Sequence, residues 1–430
     1  MTDDGGARTV RAPRPRRIGT LIVGAGQAGL ALSHQLTAAD HEHLLLERGR
    51  VGQRWHERWD SLTLLSPNWM NRLPGEPDPA DRDEFLPLAA FRAHLERYAR
   101  SRSAPVVEGV EVTRIERRGD GFRIRTTSGT WLARSVVLAT GDAADPHVPF
   151  APPAGTCSLH SSEYRRPELV PDGPVLVVGA GTSGQQLALE LRQAGRDVVL
   201  AAGRHSRAPR RYRGRDIFEW AHILGDFDRT IDELPDVEAA KRVPFFPLSG
   251  ANGGEDLGLD RIAAAGVTVT GRLTGFDGRR AVFADDLAAN VTRADVRLRK
   301  LLQRIDEHPA AEGREPEPVP DVILPPGPRT LDLRRVAAIV WATGFRRSYP
   351  WLHVRGVLDR RGEIVQRRGA TRVRGLYVLG LAYQYRRNSH FIGGVGRDAE
   401  LVARSIVERQ AGRGRARRSG VAAVIQAGRS

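Results

Sequence analysis

The chain has 430 residues, 40% of them hydrophobic and 27% charged, a balance that suits two ordinary globular domains and excludes a disordered polymer. Its formal charge of +15 is almost wholly arginine, with Lys241 and Lys300 the only lysines, and much of it sits in residues 8–17 and 413–418, so it reads as compositional bias and not as a nucleic-acid footprint. No apolar run nears the roughly 20 residues of a membrane helix, residues 1–17 lack the apolar core of a secretory signal, and a single cysteine, Cys157, excludes an intrachain disulfide, a redox dithiol and a cysteine-based zinc cluster.

In chain order, residues 18–23 read as a strand, 28–38 as a helix and 43–47 as a second strand, which makes a βαβ unit. Residues 52–74, rich in Trp, Ser, Pro and Asn, read as loops. Residues 91–100 read as a helix, and 106–115, 122–127 and 131–138 as strands of a small β insertion. A second βαβ unit follows in 175–178, 183–193 and 197–201. Residues 288–306 have apolar residues at helical spacing, 312–328 is a proline-dense linker, 336–341 and 375–379 are strand-like, and 398–410 is helical. Residues 1–17 and 412–430 are expected to be disordered. This order predicts an α/β fold with two Rossmann-type dinucleotide-binding domains, residues 166–329 being inserted into a discontinuous domain made of 18–165 and 330–411.

Gly24-Ala25-Gly26-Gln27-Ala28-Gly29 follows the first strand and opens the first helix. Gly24 permits the tight turn, Gly26 lets the backbone approach a pyrophosphate, and Gly29 lets helix and strand pack closely. The diphosphate then rests on the free N–H groups of the helix N-terminus. Glu47 closes the next strand at the spacing of a carboxylate that holds both ribose hydroxyls, which points to FAD. Gly179-Ala180-Gly181-Thr182-Ser183-Gly184, followed by Gln185, repeats the arrangement. At the position equivalent to Glu47 the chain has no acid; it reads Gly203-Arg204-His205, with Arg207, Arg210 and Arg211 nearby. A ribose 2′-phosphate prefers a guanidinium to a carboxylate, so this turn is expected to take NADPH. The alternative for these arginines is solvated surface charge.

Further strings are ordered along the chain: Gly52-Gln53-Arg54-Trp55, Trp59-Asp60-Ser61-Leu62, Ser66-Pro67-Asn68-Trp69-Met70, Ala139-Thr140-Gly141 and Ala342-Thr343-Gly344-Phe345. On them the sequence resembles the class B flavoprotein monooxygenases, the group of flavin-containing and Baeyer–Villiger monooxygenases, over about residues 18–410. The resemblance implies an NADPH- and O₂-dependent enzyme that oxygenates a small or medium organic substrate at N or S through a C4a-(hydro)peroxyflavin. It implies cofactor contacts at Arg48, Gln53, Trp55, Val110, Thr140, Gly141, Ala342, Thr343, Gly344, Gly380 and Gly394. Near-flavin or catalytic roles fall to Ser66, Asn68, Asn388 and His390. Baeyer–Villiger or oxidative-decarboxylating chemistry on a carbonyl is the near alternative. A reductase passing electrons to a partner protein is the distant one, and a non-enzymatic flavoprotein belongs to a different class.

Three departures from the pattern stand out. The identifying motif reads Ala154-Gly155 through His160 to Tyr164, without its Phe and with Gly displaced. Leu65 stands where a flavin-side Asn is usual, and Leu381 follows Gly380 where an Asp is usual. His160 is read as a hydrogen bonder linking domains. Phe218, Trp220, Phe227, Phe245 and Phe246 are read as core residues that could also line an apolar pocket. The expected partners are a small-molecule substrate and O₂, with no metal, nucleic acid or membrane, in a cytoplasmic monomer or homodimer.

Overall fold

The computed structural model describes residues 15–142 and 145–427, the stretch 412–427 as backbone only. Two parallel sheets organise the chain. In the first, Leu376–Val378, Gly129–Leu138, Arg16–Val23, His43–Leu46 and Val106–Val107 lie side by side and parallel. In the second, Ser158–His160, Ala338–Trp341, Val175–Val178, Val198–Ala201 and Thr268–Thr270 repeat that order, again all parallel. Each first strand therefore sits where the strand order reverses, the place at which open α/β sheets leave a crevice beyond the carboxyl ends of their strands. Leu21, Ile22, Leu176 and Val177 are fully buried, as expected of strands covered on both faces.

Helix Gln27–Ala38 covers the first sheet. Its Leu30, Leu32 and Leu36 pack with Val395, Ala399, Val402 and Ile406 of the last helix, Val395–Ala427. The second sheet is covered by Thr182–Gln193 and Leu259–Ala264. Helix Leu287–Asp306 turns Leu298, Leu301, Leu302 and Ile305 inward onto Ile217, Phe218 and Trp220, so those aromatics are core. Met70 of the first unit is part of the same cluster, with Leu65, Trp69 and Phe391 packed against it.

Four expectations need correction. The first strand begins at Arg16, whose guanidinium lies 5.2 Å from the Trp131 ring centroid; residues 1–14 of the expected N-terminal tail lie outside the described residues. The last helix continues to Ala427 where disorder was expected from 412, and residues 428–430 lie outside the described residues. Val112–Arg118 and Gly121–Thr126 are antiparallel extensions of the first sheet, joined through Gly129–Leu138, and not a separate insertion. Finally, Ser158–His160 and Ala338–Trp341 pair within the second sheet, although the sequence division places 158–160 and 338–341 in the first domain. Pairing partners about 160 residues or more away decide that membership, and local pattern does not show them.

Candidate functional site

The two glycine turns are built alike. A Cβ on Gly24 would come within 2.6 Å of the Ala139 carbonyl oxygen, and one on Gly179 within 2.5 Å of that of Ala342. Each Ala-Thr-Gly string thus ends the strand beside its own glycine turn, which explains why both strings recur. A Cβ on Gly29 would overlap the Gly24 carbonyl, and one on Gly184 that of Gly179. Gly26 and Gly181, by contrast, face open space, with no atom within 4 Å of an added Cβ. Both N-cap their helices, with no side-chain cap and no acidic residue in the first turn. Free N–H groups and an open backbone face fit a dinucleotide diphosphate at each turn.

The first site is closed by Glu47, 7% exposed. Its carboxylate accepts from Ala25 N–H at 2.9 Å and Gly49 N–H at 3.1 Å, which leaves lone pairs for ribose hydroxyls. Val110 N–H donates to the Glu47 carbonyl at 2.9 Å and fixes the strand end. Trp55 donates from Nε1 to Gln27 Oε1 at 3.2 Å and sets its ring edge-on to Phe91. Gln53 turns back onto Arg50 N–H, and the exposed Arg48 pairs with Glu57 at 3.1 Å. A Cβ on Gly380 would sit 2.9 Å from the Ala28 Cβ, so the segment after Leu376–Val378 passes directly over the start of the first helix. Gly141 and Gly344 both take φ of +79° after their Thr residues, Thr140 and Thr343.

The second site separates the basic residues that sequence had grouped. Arg204 is exposed. Arg272, which the sequence reading missed, flanks it: a Cβ on the intervening Gly203 would lie 3.5 Å from the Arg272 side chain. His205 is buried and holds the Gly203 carbonyl at 3.0 Å, and burial keeps its pKa low. Arg210 is 2% exposed and bound to Asp216 at 2.6 Å and to the Leu65 carbonyl at 2.7 Å. Both side chains are thus buried and committed to protein partners, whereas Arg204 is exposed. Gln185 is fully buried and donates to the Ala180 carbonyl at 2.8 Å, bracing the turn, so it too is a structural residue. The Thr182 hydroxyl donates to the Phe246 carbonyl at 3.2 Å, next to Ser183 in the first helical turn.

The four candidates near the flavin fall into two pairs. Ser66 donates to Asn71 Oδ1 at 2.6 Å, and Asn68 donates to the Asp81 carbonyl at 3.1 Å. Asn68 Oδ1, Asn388 Oδ1 and His390 Nδ1 are buried atoms without a hydrogen-bond partner among the described residues. A buried polar atom of this kind can take a hydrogen bond from a water molecule or from a bound ligand. The Asn388 backbone would clash with a Cβ on Gly394, so that turn closes tightly ahead of the last helix. Burial pushes the His390 pKa down to about 4; nearby Arg347 and Arg387 lower it further and Asp142 opposes them. The ring is therefore neutral near pH 7. Phe391, next in the chain, meets Phe227 and Phe245 edge-on, each with centroids 5.5 Å apart.

His160 is buried and bonds the Gly344 carbonyl through Nε2 at 3.0 Å and Ser162 through Nδ1 at 2.9 Å. It ties the edge strand of the second sheet to the Gly344 turn that follows the neighbouring strand Ala338–Trp341. Clefts open on the described surface. One of about 560 Å³ lies at the end of helix Leu287–Asp306, between Arg213 and Arg314, away from both glycine turns. Another, about 350 Å³, is lined by Asp142, Phe345 and Arg347 at the domain crossover. No described helix is long and apolar enough to cross a membrane.

The pyridine nucleotide-disulphide oxidoreductase family profile matches residues 21–215. A relative from Geobacillus kaustophilus, named as an uncharacterized oxidoreductase, CzcO-like, is 30% identical over 397 residues, which is 91% of this chain and 98% of the relative. The indole-3-pyruvate monooxygenase YUCCA1 of Oryza sativa subsp. japonica is 36% identical over 186 residues, 41% of this chain and 46% of that protein. The solved flavin-containing monooxygenase from Stenotrophomonas maltophilia has the same fold, with a TM-score of 0.62 at 20% identity over 92% of this chain and 99% of that one.

Proposed function

The chain belongs to the CzcO-like oxidoreductases, and from that premise we propose that it is an NADPH- and O₂-dependent monooxygenase that oxygenates a small or medium organic molecule at nitrogen or sulfur. The observation that carries this reading is the pair of congruent glycine cradles in a chain whose single cysteine leaves no dithiol for disulfide reduction. FAD, reduced by the nicotinamide cofactor, supplies the oxygen-activating chemistry when bound.

The chain's own residues bind, orient and shield. Gly26 and the first turn of Gln27–Ala38 receive the FAD diphosphate, and Glu47 takes its ribose. Gly181 and Thr182–Gln193 receive the NADPH diphosphate, with Arg204 and Arg272 at the 2′-phosphate. His390, neutral near pH 7, offers a hydrogen bond without adding positive charge beside the flavin. Phe227, Phe245 and Phe391 keep water from the same region.

The test is oxygen incorporation. The FAD-loaded protein is given NADPH, ¹⁸O₂ and a panel of sulfides, amines and ketones. One labelled oxygen atom per NADPH in a sulfoxide or N-oxide is expected. Label in an ester, from a ketone, would move the reading to Baeyer–Villiger chemistry. Complete release of the oxygen as peroxide across the panel, with rapid electron transfer to protein acceptors, would replace it with a reductase.

A further inference from the structure

We propose that the roughly 350 Å³ cleft at the domain crossover binds the carboxylate of an organic-acid substrate. The proposal deepens the monooxygenase reading and rests on it. The volume lies within the roughly 300–1,000 Å³ range of small-molecule sites. Its lining is Asp142, Phe345, Arg346, Arg347, Arg361 and Glu363. Asp142 follows Ala139-Thr140-Gly141, and Phe345 to Arg347 follow Ala342-Thr343-Gly344, so both segments leaving the glycine cradles contribute. They are joined where Phe345–Arg346 pairs antiparallel with Asp145–Pro146. The third contributor is a built turn: the Asp359 side chain accepts from Arg361 N–H at 2.8 Å and Glu363 N–H at 2.9 Å, which fixes Arg361 and Glu363 at the rim.

The charges do not cancel. Arg347 takes both carboxylates, Asp142 and, at 2.7 Å, Glu363. Arg346 and Arg361 are left exposed and, among the described residues, without an ion-pair partner. The lining thus carries three guanidiniums against two carboxylates; Asp145, opposite Arg346 across the strand pair, and Asp359, in electrostatic reach of Arg361, stand just outside it, and neither closes an ion pair with these arginines among the described residues. Two buried polar atoms in electrostatic reach of Asp142 and Arg347 also lack partners, Tyr349 Oη and His390 Nδ1. Two planar guanidinium forks without an ion-pair partner at one cleft suit a carboxylate or a phosphate. The NADPH phosphates have seats at the Gly181 turn and at Arg204, so the anion assigned here is the substrate's own.

Binding separates this proposal from the reading beneath it. Titration calorimetry on the FAD-loaded protein compares (phenylthio)acetate with its methyl ester. The acid is expected to bind about tenfold more tightly, the scale of a charge-assisted contact, and the double variant Arg346→Gln/Arg361→Gln is expected to lose that preference, with the ester as internal reference. Equal affinity for acid and ester, or a preference that survives in the double variant, overturns the proposal. A rise in the NADPH KM without loss of acid preference assigns the cleft to a cofactor phosphate and also overturns it. An acid preference that depends on the arginines without any oxygenation would keep the site and remove the monooxygenase.

Discussion

Gly26 and Gly29 stand three residues apart in one turn, and the same substitution has opposite consequences at each. Gly26 has φ −80° and ψ −172°, a conformation open to any residue, and no atom within 4 Å of an added Cβ. Gly26→Ala should fold with an unchanged melting temperature yet bind FAD about tenfold or more weakly, because the methyl group occupies diphosphate space. Gly29→Ala drives its Cβ into the Gly24 carbonyl and should cost roughly 1–3 kcal/mol or more of stability before any cofactor is added. Fluorescence titration of FAD and thermal melts of the apoproteins separate the two. His390 gives the pH prediction at this scale. Its folded pKa of about 4 lies below the ordinary 6.5, so the unfolded chain takes up the proton first. Stability therefore falls as pH drops from about 6.5 towards 4 and changes no further below that. A full unit of difference is worth about 1.4 kcal/mol, so denaturant unfolding should show His390→Gln losing about 1–2 kcal/mol less than the wild type between pH 7 and 5. Equal losses would mean that the ring is solvated.

Among secondary-structure elements, Arg204 and Arg210 show how similar sequence features part in three dimensions. Both follow the strand Val198–Ala201, and both read as basic residues near a 2′-phosphate. The chain between them turns inward. Arg210 crosses to the other unit, bonds the Leu65 carbonyl, and lies 4.3 Å from the Phe85 ring centroid. Removing it strands Asp216, whose buried carboxyl already has a raised pKa through desolvation. Arg210→Ala should therefore cost about 3–5 kcal/mol, measured by urea unfolding. Arg204→Gln should leave stability alone and raise the NADPH KM about tenfold, with a much smaller effect on NADH. The glycine cradles were legible because their chemistry is local: an apolar strand, three glycines at fixed offsets and a helix. Glu47 was legible for the same reason. What the sequence hid was non-local. Ser158–His160 and Ala338–Trp341 join the second sheet through distant partners, and Arg347 acquires its role from Asp142 and Glu363. Arg272 reaches Gly203 only because Thr268–Thr270 pairs beside Val198–Ala201.

At the scale of the whole molecule, two similar sheets are joined by two crossover segments, and the contacts between the units decide whether they unfold as one. Those contacts are buried ones. Arg210 holds the Leu65 carbonyl, and Gly250 is packed so closely against the Leu64 carbonyl and Phe85 that a Cβ there would overlap them. A ligand that binds only the folded state stabilises it by about 2.7 kcal/mol at one hundred times its Kd. If the two units form one cooperative structure, FAD and NADP⁺ must each raise the same transition although they bind different sheets. Calorimetry of the wild type should accordingly show one transition, shifted upward by either cofactor alone. Arg210→Ala removes the tie between the loop at Leu65 and the second unit and should split the melt, FAD then raising one component and NADP⁺ the other. Two independent transitions in the wild type, each responding to a single cofactor, would show that the buried interface couples position without coupling stability.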